Sequence, residues 1–138
     1  MSQPQPFLEL SGITKVFPTP KGPFVALKDI FLKINEGEFV CLLGHSGCGK
    51  STLLNMVAGL SQATQGGVIL DGKQVDEPGP DRMVVFQNYS LLPWLSAYDN
   101  VHLAVQAALP KLSEAERREV TLQHIEMVGL TANAYKRP

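Results

Sequence analysis

The chain has 138 residues, 44% of them hydrophobic, with 12 Lys and Arg against 13 Asp and Glu. That is enough apolar material for a packed domain, so global disorder is excluded. The net charge of −1 gives no basic footprint for nucleic acid or for an anionic lipid surface. No apolar run approaches the roughly 18 residues needed to span a bilayer. The N-terminal MSQPQPFLEL has neither the basic nor the apolar region of a secretory signal.

In chain order, residues 7–10 are apolar and predict a first strand, and residues 12–17 follow it. Three prolines within 18–23 predict a loop, because proline fixes its own φ and restricts its neighbour. Residues 26–34 place Leu27, Ile30, Leu32 and Ile34 in a near-alternating pattern, the mark of a half-buried strand. Asn35-Glu36-Gly37 predicts a turn. The apolar run EFVCLLG, 38–44, predicts a fully buried parallel strand, with Cys41 as a small core residue. Good helix formers fill 51–58, and Gly59 predicts the stop. Asp71-Gly72 between VIL and KQV predicts a hairpin with a type I′ turn. Pro78-Gly79-Pro80 breaks the chain, and MVVF at 83–86 predicts another buried strand. A helix is expected over 97–109. Ser113 and Glu116 form a capping-box pattern for a last helix, running to about Val128 and closed by Gly129. Glu114 and Arg118, four apart, are expected to pair on its wet face. The two cysteines, Cys41 and Cys48, have neither the context of a disulfide nor the spacing of a metal site.

The chemistry concentrates in GHSGCGKST, residues 44–52. Gly44, four residues, then Gly49-Lys50-Ser51 satisfies the Walker A pattern. Glycines let the backbone curl so that successive N–H groups of Gly44, His45, Ser46, Gly47, Cys48 and Gly49 can line an anion nest. A helix opening at the loop turns its positive end to the same place. Lys50 offers a cation to the β- and γ-phosphates, Ser51 a hydroxyl to Mg²⁺, and Thr52 a further hydroxyl and amide. The loop follows a predicted strand and precedes a predicted helix, the setting the motif requires. The motif alone says nucleotide, without choosing among kinases, GTPases, helicases and transport ATPases.

GHSGCGKSTLLNMVAGL together with RMVVFQNYSLLPWLSAYDNV, 82–101, resembles the ATP-binding subunit of an ABC transporter. GEFVCLLGHSGCGKSTLLNMVAGL, EPGPDRMVVFQNYSLLPW and the final AYKRP are similar to the nitrate-import group, with cyanate, bicarbonate and sulfonate importers close by. The resemblance implies an α/β fold: a P-loop NTPase (ABC ATPase) core with a small antiparallel β subdomain and the start of the helical subdomain. It implies ATP and Mg²⁺ as ligands and coupling of hydrolysis to uptake of a small anion, with nitrate first. The segment VFQNYSLLPW resembles the family's Q-loop, with the Q-loop region at 86–94. Gln87 is then implied to reach Mg²⁺ and the attacking water, which suits an amide that both donates and accepts. Leu91, Leu92, Pro93 and Trp94 are implied to receive the membrane subunit; plain core packing is the competing reading of the same residues. Phe17 is the implied adenine-stacking ring, with Phe24 as the fallback. Tyr89, Tyr98, His102 and His124 read as surface or packing residues.

The resemblance also implies partners. These are a second ATP-binding subunit, identical or not, transmembrane permease subunits, and indirectly a periplasmic substrate-binding protein. No nucleic acid is implied. The place is the cytoplasmic face of the bacterial inner membrane. The signature sequence, the Walker B Asp-Glu pair and the switch histidine do not occur in this sequence. Residues 1–138 are therefore expected to be the N-terminal part of a single ABC-type ATP-binding domain with an incomplete sheet. Hydrolysis is expected of the longer parent and not of these residues alone. The alternative is a short nucleotide-binding regulatory module without hydrolysis.

Overall fold

A computed structural model of the chain describes residues 6–88 and 90–138; Tyr89 lies outside the described residues. The chain divides into two compact units, Met1–Val84 and Val85–Pro138.

Among the described residues the first unit is a four-stranded antiparallel sheet with one helix. Strands β1 (Leu8–Thr19), β2 (Gly22–Ile34), β3 (Gln65–Leu70) and β4 (Lys73–Gln74) lie in the order β2-β1-β3-β4, and α1 spans Lys50–Val57. The core gathers Leu8, Leu10, Ile13 and Leu27 from the first two strands, Leu53 and Met56 from α1, and Val68 and Leu70 from β3. Leu8 and Leu10 obey the strand period of two, whereas Ile13 breaks it. A register shift between Leu10 and Ile13 turns Ile13 back to the core side. Leu53 and Met56 stand three apart and share one face of α1.

The predicted hairpin at Asp71-Gly72 is present. Both residues have positive φ, 47° and 73°, as a type I′ turn demands. The predicted proline loop is instead the tip of a hairpin, with Pro18 opposite Pro23 and Thr19 opposite Gly22. Pro23 lies on an outer strand. Pro18 lies beyond the last β1–β3 pair, Thr14 with Gln65. Neither proline is therefore asked for a ladder N–H, so the pairing tolerates both.

The two predicted buried strands are not strands. Residues 38–44 and 83–86 belong to no sheet, and Phe39 and Leu43 are each 93% exposed, with Val85 at 97%. Cys41, expected in the core, is exposed as well. An apolar run becomes a buried parallel strand only when strands on both sides take its N–H and C=O groups and layers cover both faces. Among the described residues no strand lies beside either run, and of 38–44 only Leu42 packs against the core cluster.

The second unit is a helical hairpin: α2 (Ala97–Ala108), α3 (Glu114–Met127) and a short 3₁₀ turn, Thr131–Asn133. Ser113 caps α3 as its sequence requires; its N–H donates to the Glu116 carboxylate at 2.7 Å. Gly129, at φ 70°, ends the helix, and its N–H donates to Glu126 O at 2.8 Å. Arg118 reaches Glu114 at 3.1 Å on the exposed face. A second capping box, Ser96 with Asp99, opens α2. Among the described residues no helix is long and apolar enough to cross a membrane.

Candidate nucleotide-binding site

The loop 44–52 enters α1 through Gly49, whose φ of 94° lies in the left-handed region. A Cβ there would stand 2.6 Å from Leu27 Cδ2 and 2.9 Å from the Ala26 carbonyl oxygen. Glycine is thus required twice, for the turn and for the close approach to β2. No side chain caps α1, and the first helical bond runs from Leu53 N to Gly49 O at 2.9 Å. The amides of the first turn keep their hydrogens for something else, and the helix dipole adds partial positive charge at the same end.

Lys50 curls back over the loop. Its ammonium donates to the carbonyls of Gly44 and His45, both at 2.8 Å, and to Cys48 Sγ at 3.4 Å. A charged donor with three hydrogens is thereby held within the span of the loop, on carbonyls that an anion can displace. Gly44 is pressed against Cys48, since a Cβ there would lie 2.7 Å from Sγ. His45 donates from Nδ1 to Ser46 O at 2.8 Å, a carbonyl that can only accept. Ser46, Gly47 and Ser51 are exposed, and Thr52 is half-buried. Among the described residues no three His, Cys, Asp or Glu side chains gather as a metal cage.

The two adenine-stacking candidates turn out to be neighbours. Phe17 and Phe24 face each other across the β1–β2 hairpin, 37% and 55% exposed. Directly opposite residues share one face of a sheet. The Lys15 ammonium lies 5.1 Å from the Phe17 ring centroid, a cation–π contact on one side of that ring. The sequence treated the two rings as alternatives; the hairpin sets the two residues opposite each other in register.

The remaining candidates belong to the second unit. Gln87 is exposed in a bend. Residues 92–95 form a turn closed by Leu95 N to Leu92 O at 3.1 Å, and Trp94 is 64% exposed. Trp94 is therefore not a core residue, while Leu92 is half-buried. Leu91, Leu92, Val101, Leu103, Ala104 and Leu130 line an open apolar groove of about 540 Å³.

Sequence reasoning passed over three features here. Asn100 binds the backbone of the 92–95 turn, and no short motif announces it. The Ser96–Asp99 box carries Asp where the usual pattern has Glu or Gln, and a search admitting Asp would have found it. His102 is enclosed between helices. The Thr121 hydroxyl gives its one hydrogen to Arg117 O at 2.7 Å, so it accepts from His102 Nδ1 at 2.9 Å. Nε2 lies 3.2 Å from Glu114 Oε1, a hydrogen bond that forms only when the ring carries both protons. Tyr98 stacks on His102 at 5.4 Å.

Four carboxyl groups are held below their ordinary range. The side-chain bond from Ser96, then its backbone N–H, lowers Asp99, and Ser113 does the same for Glu116. The Arg118 hydrogen bond lowers Glu114, and the Asn35 backbone N–H, then its amide, lowers Glu38.

The sequence profile of the ABC transporters matches residues 27–138. The chain belongs to the ABC transporter family. It is 62% identical over 132 residues to the nitrate import ATP-binding protein NrtD of Synechococcus elongatus, covering 96% of this chain and 48% of that protein. Against the bicarbonate transport ATP-binding protein CmpD of the same organism, identity is 56% over 132 residues, with the same coverage of each. The chain spans about half the length of the curated relatives it matches. Among solved structures, a dimeric ATP-binding cassette in a post-hydrolysis state, bound to ADP and Pi, superimposes with a TM-score of 0.80 at 33% identity. That match covers 95% of this chain and 61% of the cassette. The expected fold class therefore holds: these residues have the fold of an ABC ATPase cassette, α/β, with the antiparallel sheet and helices described above.

Proposed function

We propose that the chain is the N-terminal part of the single ATP-binding domain of an ABC importer that couples ATP hydrolysis to uptake of nitrate. The observation that carries the nucleotide reading is Lys50, its ammonium held over a loop that opens an uncapped helix. The cargo reading rests on likeness, 62% identity to a nitrate import subunit against 56% to a bicarbonate one. One domain rather than two is supported by a family match that runs through both units.

Lys50 would exchange the Gly44 and His45 carbonyls for the β- and γ-phosphate oxygens. The amides of Gly47, Cys48 and Gly49, with those of Ser51 and Thr52, would donate to the remaining phosphate oxygens. The exposed Ser51 hydroxyl fits Mg²⁺, which takes few protein ligands and completes its shell with phosphate oxygens and water. Bound there, the cation would neutralise charge on the phosphates. Gln87 would order the attacking water through an amide that donates and accepts. Phe17 with Phe24 would offer an aromatic face to adenine. Leu91, Leu92, Pro93 and Trp94 would meet the permease, an exposed aromatic among apolar neighbours being a fitting anchor. A second ATP-binding subunit would close over the nucleotide, and a periplasmic binding protein would deliver the anion. The protein would work at the cytoplasmic face of the inner membrane as a peripheral subunit.

The test is calorimetric titration with Mg·ATP of the wild type and Lys50→Ala. Lost charge-assisted bonds predict at least about tenfold weaker binding in the variant. Equal affinity would remove the loop from the reading. In vesicles holding the assembled transporter, ATP should drive nitrate uptake; movement of bicarbonate with no nitrate would overturn the cargo.

A further inference from the structure

We infer that Asn100 is the positioning residue that holds the 92–95 turn in shape and so sets the face Trp94 presents. That this face meets a permease rests on the proposed function; that Asn100 shapes it rests on the geometry alone.

Pro93 and Trp94 stand at the tip of the turn and are exposed, so packing does not fix them. The turn has one backbone bond of its own, Leu95 N to Leu92 O. Among the described residues the rest comes from a single side chain. Asn100 Oδ1 accepts from Leu92 N at 2.8 Å, and Nδ2 donates to Leu92 O at 3.2 Å, so one amide grips both polar groups of one residue. Nδ2 also reaches Ser96 O at 2.9 Å and Leu95 O at 3.4 Å. The amide orientation is settled by these partners: a flip would set NH₂ against the Leu92 N–H and oxygen against three carbonyls.

Asn100 lies in the first turn and a half of α2, where asparagine is a poor helix former relative to alanine or leucine. Its side chain points back toward the N-terminus, the direction that helix geometry gives it. The Ser96–Asp99 box fixes the start of the same helix, so the amide projects from a rigid base. Asn100 also lines the apolar groove beside Leu91, Leu92 and Leu103. One residue thus joins the helix, the groove and the exposed tryptophan.

Trp94 is the sole tryptophan of the chain, so it reports the turn directly. In Asn100→Ala and Asn100→Asp, with helix content checked by circular dichroism, acrylamide quenching of Trp94 should rise and its anisotropy fall. Asn100→Asp keeps an acceptor for Leu92 N but cannot donate to the carbonyls, so it separates the two halves of the grip. Unchanged quenching in both variants overturns the inference, whatever the protein's function.

In the assembled transporter in vesicles, Asn100→Ala should reduce permease-stimulated ATP hydrolysis roughly tenfold, the scale of one or two lost hydrogen bonds. Hydrolysis without permease should change less than about twofold. On a Trp94→Ala background the same substitution should add little, because both changes act through one surface. Independent, multiplying losses would overturn the positioning role. A wild type with no permease-stimulated hydrolysis would overturn the proposed function instead, and the quenching result would still decide the turn.

Discussion

Gly49→Ala tests the loop's attachment to the sheet, and Gly47→Ala supplies its control. Gly49 has φ 94° and Gly47 φ 79°, so each alanine would have to take a left-handed conformation, at about 1–2 kcal/mol. The surroundings differ. At Gly49 the new Cβ meets Leu27 Cδ2 at 2.6 Å and the Ala26 carbonyl oxygen at 2.9 Å. At Gly47 it meets no heavy atom within 4 Å. Leu27 is buried in the core, and a backbone oxygen cannot rotate aside, so strand and helix must separate. Overpacking of this kind costs about 1–3 kcal/mol beyond the conformational cost. Both substitutions restrict the unfolded chain equally, so that contribution cancels. With a urea m-value of about 1–3 kcal/mol/M, Gly49→Ala should unfold roughly 1 M below Gly47→Ala. Urea titration of both variants by far-ultraviolet circular dichroism measures the difference. Coincident midpoints would refute the claim that Gly49 is pinned against β2.

Three further outcomes follow from the same structure. Ser113→Ala removes the cap of α3 and should cost about 1 kcal/mol, read as a lower thermal midpoint of helix content. Thr121→Val keeps the volume of a fully buried side chain but leaves His102 Nδ1 without its acceptor. A loss of about 1–3 kcal/mol is expected in urea titration followed by Trp94 fluorescence. Acid should weaken both units. Asp99, Glu114, Glu116 and Glu38 are held below their ordinary values, 3.8 for the aspartate and 4.5 for the glutamates. A carboxyl lowered on folding contributes stability that is present above its unfolded value and lost as pH falls through the folded one. The thermal midpoint should therefore be flat with respect to these groups from pH 7 to about 5, and fall below about 4. A midpoint that rises on acidification below pH 4 would contradict the capping-box assignment.

What the sequence disclosed depended on how local the cause was. Asp71-Gly72 makes its turn by its own φ angles, and Ser113 with Glu116 closes its box within four residues; both were legible. Gly59 ended α1 for the same reason, its N–H donating to Met56 O at 3.0 Å. The Walker pattern was legible as a motif, and in the fold Lys50 curls back over its loop onto the carbonyls of Gly44 and His45. EFVCLLG and MVVF misled because apolar content says what a segment tolerates, and pairing depends on partners elsewhere. The 18–23 prolines hid a hairpin because a proline on an unpaired edge looks, in sequence, like a proline in a loop. Asn100 was invisible because its four partners are backbone groups, which every residue has.

The outer strand β2 carries one more consequence. It is 13 residues long and sits at the margin of the sheet, with Phe24, Val25 and Phe31 exposed along it. A straight margin of that length would template the addition of strands from other molecules. Asp29 interrupts it. Its φ of 51° is left-handed, and its N–H turns inward to the Thr14 hydroxyl at 3.2 Å instead of outward to solvent. The register shifts of β1 flank the same point. An incoming strand would find its ladder broken midway and two lysines, Lys28 and Lys33, along the row. The kink that spoils the regularity of β2 thus also breaks the row of backbone groups that an added strand would need to pair with.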